Sequence, residues 1–365
     1  MKVLGAFILI IALVQHLSTG ICQADGNGTA LGAVSTKVGH SLDLTPYLID
    51  GYDSKFVGVV DDQQFVTVKT TGSLISRIDF WNIRSGKLEK QIQPPEPVLS
   101  WSALLSPNGR MMTTAQNNLA TILHHSPNKN SHKIFQWDTD THRLIRTLDV
   151  GPEKDILGSF FLPQVNELLL SIHAGSSQDV IYRYVDTHSG KTLKEVETPQ
   201  MIALDAASAV VSPDGKLVVA IEESAEGDAG ALSVLDAANG KVVQTFTGNF
   251  RVRPIAPPYF FLSQKEFVCG RLIYDIKVHR TIPLFRPHDP RRKAVAGLPR
   301  HPGYAFFLTD KGLELWNVPG DRMAYRWTEI HQADDIYFSP SMHLMCVFKH
   351  QKLQFWTFAP KLIGR

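Results

Sequence analysis

The chain has 365 residues, 44% of them hydrophobic, enough to bury a large core. Only 20% are charged and the formal net charge is +2, a near-neutral balance that argues against a general nucleic-acid binder, whose phosphate contacts need a clustered basic excess. A content of 26 Gly and 21 Pro suits a turn-rich β protein.

Residues 1–24 read as a secretory signal peptide. Lys2 supplies the positive end, and Val3 to Val14 is an apolar run, well short of the roughly 20 residues that span a bilayer. Small residues follow, with Gly20 or Ala24 as the cleavage point. Retention as an anchor is one alternative. Lipid attachment at Cys22 is another, but Ile21 stands where such signals want a small residue. Residues 25–36 are expected to be a flexible linker, and Asn27-Gly28-Thr29 is a glycosylation acceptor if the source is eukaryotic. No later segment approaches spanning length, so the mature protein is expected outside the cytoplasm, secreted or periplasmic, without a transmembrane span.

From residue 37 onward, short β-branched and apolar runs alternate with turn signals. The clearest unit is Ala209 to Phe246. Ser212-Pro213-Asp214-Gly215 is a tight turn: Pro213 pre-sets φ and Gly215 accepts a positive φ. Leu217 to Ile221 and Leu232 to Leu235 are apolar enough for buried strands, and the acidic, glycine-bearing Glu222 to Gly230 is a loop between them. Asn239-Gly240 then makes a hairpin into Lys241 to Phe246. That is one four-stranded antiparallel unit.

The end of its third strand echoes along the chain. There an apolar or aromatic residue is followed by Asn or Asp, a turn and a basic residue. The pairs are Trp81-Asn82, Trp137-Asp138, Val185-Asp186, Leu235-Asp236, Tyr274-Asp275 and Trp316-Asn317, with Trp356-Thr357 as the seventh. Recurrence every 40 to 56 residues or so, with four strands per unit, predicts a β-propeller of seven blades. The short polar side chain at each pair is expected to bond the backbone of the coming turn. The four tryptophans are expected to fill seams between blades.

At these residues, and at the Ser-Pro turns Ser106-Pro107-Asn108-Gly109, Ser212-Pro213-Asp214-Gly215 and Ser339-Pro340-Ser341-Met342, the chain resembles the WD-repeat and YVTN-type propellers of secreted bacterial proteins. The resemblance covers about residues 40–358 and departs from WD repeats in lacking their opening Gly-His pair. The predicted fold is all-β: a seven-bladed β-propeller of four-stranded antiparallel blades over residues 37–358, followed by a tail at 359–365. Blade seven runs out of chain at Phe358, so Lys37 to Leu44 is predicted to supply its outer strand and close the ring. Cys269 and Cys346 fall two blades apart in apolar runs and are expected to be buried thiols.

In such a ring, the second-to-third-strand loops and the links between blades share one face, where binding residues are expected. Two sets of candidates lie there. His124, His125, His132, His173 and Glu222, with Glu223, Glu226 and Asp228, come from the loops of blades two to four and are weak candidates for a metal. Arg251, Arg253, Arg291, Arg292, Lys293 and Arg300, with Arg286, His288 and His301, flank blades five and six, and convergent guanidiniums favour a carboxylate or phosphate. A solvated surface accounts for either set without a ligand. The sequence has no Cys-x-x-Cys-His, Gly-x-Ser-x-Gly, glycine-rich phosphate loop or cysteine cluster, so no cofactor is expected and no catalytic residue is assigned. The expected role is a monomeric, non-enzymatic binding scaffold for a protein, peptide or glycan. The alternative is an enzyme of the propeller lactonase or quinoprotein type, with its site at the mouth of the central channel.

Overall fold

The computed structural model describes residues 37–43, 52–71, 74–96, 98–99, 102–116, 132–151, 154–162, 166–174, 180–198, 209–222, 230–248, 259–284, 292–349 and 352–358. The leader, the linker and the C-terminal tail lie outside them. Every regular element among the described residues is a β-strand. The strands form seven antiparallel sheets of four, and each sheet is a blade. Blade one carries one addition, Val98–Leu99, which pairs with Leu74 and Ile75.

Six blades take their four strands in chain order. Blade seven does not: its outer strand is Lys37–Asp43, antiparallel to Lys352–Thr357, with Lys37 opposite Trp356 and Asp43 opposite Lys352. The ring is therefore closed by the N-terminal strand, as the sequence predicts.

Local chemistry sets the turns. Asn82, Asp138, Asp186, Asp236, Asp275 and Asn317 each accept, through the side chain, at least one backbone N–H of the turn that follows, at 2.6 to 3.2 Å. At Asp186 the hydroxyl and amide of Ser189 hold the carboxyl below its ordinary value. The Ser-Pro turns share a second device. The hydroxyls of Ser106, Ser212 and Ser339 each accept the N–H of the first residue of the next strand, Met111, Leu217 and Leu344, at 2.9 to 3.1 Å. Blade seven places Met342 at φ 63 where blades two and four have glycine. Gly109 has no such latitude: a Cβ there would meet the Val60 carbonyl oxygen of blade one at 1.9 Å.

No blade buries its own apolar faces. Seven hydrophobic clusters fill the seven seams, and each draws on two adjacent sheets, the set closing between blades seven and one. The core is thus a ring of interfaces around the axis. Cys269 and Cys346 are buried free thiols within it, and burial pushes the Cys269 thiol up to about 11.

Candidate functional site

The turns just described gather on one face of the ring. On the other lie the links between blades and the second-to-third-strand hairpins. The candidates divide accordingly. Arg251, Arg253, Arg286, His288, Arg291, His124, His125, Glu223, Glu226 and Asp228 lie outside the described residues. His132 precedes the strand Lys133–Asp138, and His173 and Glu222 lie at the loop-face ends of Glu167–Ala174 and Leu217–Glu222, so the three belong to three different blades. His132 is buried, and its Nδ1 has no partner. No group of three or more His, Cys, Asp or Glu suited to a metal exists among the described residues.

The basic set is split. Lys293 is exposed at the head of blade six's inner strand, Lys293–Gly297, on the loop face. Arg292 precedes it, with its guanidinium 4.1 Å from the centre of the Trp316 ring. Arg300 and His301 follow that strand in the turn to Tyr304–Thr309, so the strand carries them to the opposite face. Burial and the neighbouring Arg300 hold the His301 imidazole below its ordinary pKa.

Trp316 also departs from its counterparts. Trp81, Trp137 and Trp356 are buried in seams, whereas Trp316 is half-buried. The four indoles differ in what receives the N–H. Trp81 donates to Thr67 Oγ1 at 2.9 Å, Trp137 to Thr114 Oγ1 at 3.2 Å and Trp316 to Glu314 Oε2 at 2.8 Å. Glu314, itself buried, also accepts Arg326 Nε at 2.8 Å. Trp356 Nε1 is buried without a partner.

Above Trp356, on the loop face, a cleft of about 410 Å³ opens between blades six and seven. One wall is the link Glu329 to Gln332; the other is the blade-seven hairpin, through Val347, Lys349, Lys352 and Gln354. Lys349 and Lys352 stand directly opposite each other across the hairpin. Around the channel, Lys55, Lys293 and Asp335 occupy equivalent levels on the inner strands of blades one, six and seven, three steps along the second strand from the partner of each tryptophan. Burial raises the Asp335 carboxyl. The cleft thus combines two lysines, an imidazole and two amides with the carboxylate of Glu329, and Asp43 of the closing strand stands opposite Lys352.

Sequence reasoning passed over His331, Lys349, Lys352 and Gln354. The only signal was the run Lys349-His350-Gln351-Lys352, two lysines bracketing a two-residue turn. Which face they share follows only from the register.

No protein-family model and no curated protein matches the chain. Solved structures do. A chain of the mitotic checkpoint complex aligns over 93% of this chain and 99% of its own at 11% identity, with a TM-score of 0.52. Hydrazine synthase of Kuenenia stuttgartiensis aligns over 84% and 95% at 13% identity, with a TM-score of 0.52. The Neurospora crassa Pan2 WD40 domain aligns over 89% and 95% at 13% identity, with a TM-score of 0.56. At such identities the likeness is one of fold: the chain is a seven-bladed propeller similar in build to a WD40 domain.

Proposed function

We propose that the protein is a non-enzymatic binding scaffold, working outside the cytoplasm as a monomer and holding a protein, peptide or glycan partner on its loop face. The observation that carries this reading is the inequality of the two faces. One is built of short turns whose side chains are largely spent on their own backbone, including the turns that line a cavity of about 340 Å³ between blades two and three. The other presents the cleft of about 410 Å³ with its lysines and amides, together with Arg292 and Lys293. A rigid scaffold that keeps its adaptable groups on one side is how propellers and similar folds present binding loops. The apolar segment after Lys2 supports export, and the near-neutral charge supports a partner other than nucleic acid. The resemblance to YVTN-type secreted bacterial propellers fits the same picture.

Photo-crosslinking in the native host tests it. A benzophenone amino acid at Gln332, on the loop face, is expected to give discrete adducts, and one at Ser85, on the turn face, is not. Equal labelling from both positions would remove the reading. The N-terminal sequence of protein recovered from the extracytoplasmic fraction, expected to begin just after Gly20 or Ala24, tests the export step separately.

A further inference from the structure

We infer that the turn-face cavity between blades two and three binds a small organic monocarboxylate, its carboxylate held by Arg146 and Arg110 and its apolar body lying against Ile145 and Phe161. The ligand is a small molecule on the face opposite the one read above as the partner's, so the inference goes beyond the scaffold reading and does not rest on it.

The seams on either side of blade three differ in one respect. Toward blade four, Lys194 stands opposite Tyr184. Its ammonium donates to the Ala238 carbonyl of blade four at 2.8 Å and lies 4.0 Å from the centre of the Tyr184 ring. A cation that ties one blade to the turn of the next thus has the electron-rich face of an aromatic ring against its charge. Blade two has Arg146 at the same level, opposite Gln136. Its guanidinium donates to the carbonyl of His188, which follows Asp186 as Ala238 follows Asp236. The tie is the same, but what stands against the charge is not. Gln136 takes the place of the tyrosine, Arg146 Nε is buried without a partner among the described residues, and Arg146 lines the cavity of about 340 Å³. A buried N–H left unpaired is costly, and a ligand that accepts it recovers that cost.

The polar level belongs to this seam alone. In the other six blades the positions of Gln136 and Thr113 hold apolar or aromatic pairs, such as Phe80 with Val66, Tyr184 with Leu169 and Leu315 with Phe306. The propeller therefore has no structural need of an amide and a hydroxyl there. Gln136 and Thr113 are fully buried inward of Arg146 and do not line the cavity themselves. Their effect is to leave the guanidinium without an aromatic face.

The walls define the ligand. A Cβ at Gly190 would meet Arg146 Nη1 at 2.5 Å, so the blade-three turn closes on the guanidinium and fixes it. Arg110 lines the same cavity from the turn after Ser106. Among the described residues neither arginine is in an ion pair. Two guanidiniums offer the paired N–H groups that carboxylate oxygens accept. One carboxylate, Asp138, also lines the cavity. It accepts the N–H and hydroxyl of Thr141 at 2.6 and 2.8 Å, and Arg143 stands directly opposite it. Two arginines against one aspartate suit a monoanion better than a doubly charged phosphate. A bulge between Leu144 and Arg146 lets the neighbours Ile145 and Arg146 line one cavity. Ile145 is 41% exposed, and an apolar ligand body that covers it gains burial. The volume falls at the small end of the roughly 300–1,000 Å³ typical of small-molecule sites.

Isothermal titration calorimetry with the full chain at about 50 mM salt tests the inference. The probes are 3-phenylpropionate, 3-phenylpropionamide and phenyl phosphate. The acid is expected to bind with a Kd of about 1 mM or tighter, and the amide about tenfold more weakly or worse. Arg146→Gln is expected to weaken the acid about tenfold or more, and Arg110→Gln, in an exposed turn, about fivefold or more. Lys90→Gln removes the cation at the level of Arg146 in blade one and is expected to change nothing. An unchanged melting curve verifies each fold; if Arg146→Gln melts early, Arg110→Gln decides. Equal affinity for acid and amide, no binding of the acid at about 10 mM, or full affinity in Arg110→Gln would overturn the inference. So would tighter binding of phenyl phosphate than of the acid, which would make the ligand a dianion. Equal weakening by Lys90→Gln would also overturn it, because the effect would then be one of overall charge.

Discussion

The seam between blades seven and one and the seam between blades two and three solve the same packing problem with different materials. The first is aromatic. Phe56 meets Tyr337 edge-on at 4.7 Å, and Phe65 lies 5.3 Å from Phe355 and 6.1 Å from Trp81. Its polar atoms are answered: Trp81 has Thr67, and Asp62 of blade one accepts the Ser341 hydroxyl of blade seven at 2.6 Å. Burial alone would raise the Asp62 carboxyl, but bonds from Ser339, Ser341 and His343 hold it below its ordinary value. The second seam is aliphatic toward the loop face, from Ile134 to Ile172. Beneath lies a cross-strand row, Thr113–Gln136–Arg146, in direct register. Thr113 Oγ1, both amide atoms of the fully buried Gln136 and Arg146 Nε have no partner, and a cavity of about 340 Å³ adjoins Arg146. Blades two and three are joined by a short link after Val150. Blades seven and one meet across almost the whole chain, and the entropy of closing a loop grows with its length. Of these two seams, the one with the heavier apolar anchors sits where closure costs more, and the tethered seam tolerates polar imperfection.

Removing residues 35–46 tests this contrast most severely. It strips the outer strand from blade seven and bares the edge of Lys352–Thr357. The melting temperature is expected to fall by about 10 °C or more, several kcal/mol for a domain of this size. An unchanged melting curve would show that the closing strand contributes nothing. Trp81→Ala comes next, with an expected loss of about 3–5 kcal/mol in urea unfolding, from lost burial plus the cavity left behind.

The ring was legible from the sequence because its signals are local. Asn239-Gly240 and Ser212-Pro213-Asp214-Gly215 name their turns without reference to the rest of the chain. Even the closing strand could be assigned, since Lys37 to Leu44 had no other place. What depended on register was not legible. Arg300 is close to Arg292 in sequence, yet the five residues Lys293–Gly297 carry it about 17 Å to the other face. Nothing in the sequence marks Glu314, which is buried and held by Arg326, Trp316 and Thr309. Val98–Leu99 is too short to carry a signature of its own. The cleft lysines became a pair only once the hairpin fixed them opposite each other.

A matched pair of substitutions sharpens the comparison further. Thr67→Val keeps the shape of the side chain but strands the Trp81 N–H, and is expected to cost about 1–2 kcal/mol. Gln136→Leu keeps volume and removes two buried atoms that have no partner. It is expected to be neutral or to stabilise by up to about 1 kcal/mol. Equal losses from both, measured by chemical denaturation, would mean that the two seams treat polar atoms alike.

The smallest expected effect concerns the one carboxyl that sits badly in the aromatic seam. Asp335 lies on the inner strand of blade seven, on the same face as Tyr337, which packs against Phe56. Burial pushes its carboxyl above the ordinary 3.8, and Asp334 adds to the rise, while bonds from the Ile336 amide and Tyr337 oppose it. A raised native pKa means that the native state binds the proton more tightly than the unfolded chain does. Stability from this group is therefore fully present below 3.8 and is lost as pH rises through the raised native value. Asp335→Asn removes the half-buried charge and keeps an acceptor for the Ile336 N–H. At pH 7 the variant is expected to melt above the wild type, and the advantage is expected to shrink as the pH is lowered toward 3.8. Carboxyls held low, such as Asp62, change stability in the opposite sense over acid pH, but they act on both proteins equally and cancel in the difference. A gain that stayed constant with pH would trace to packing instead of charge, and the closing seam would then be free of the electrostatic flaw assigned to it.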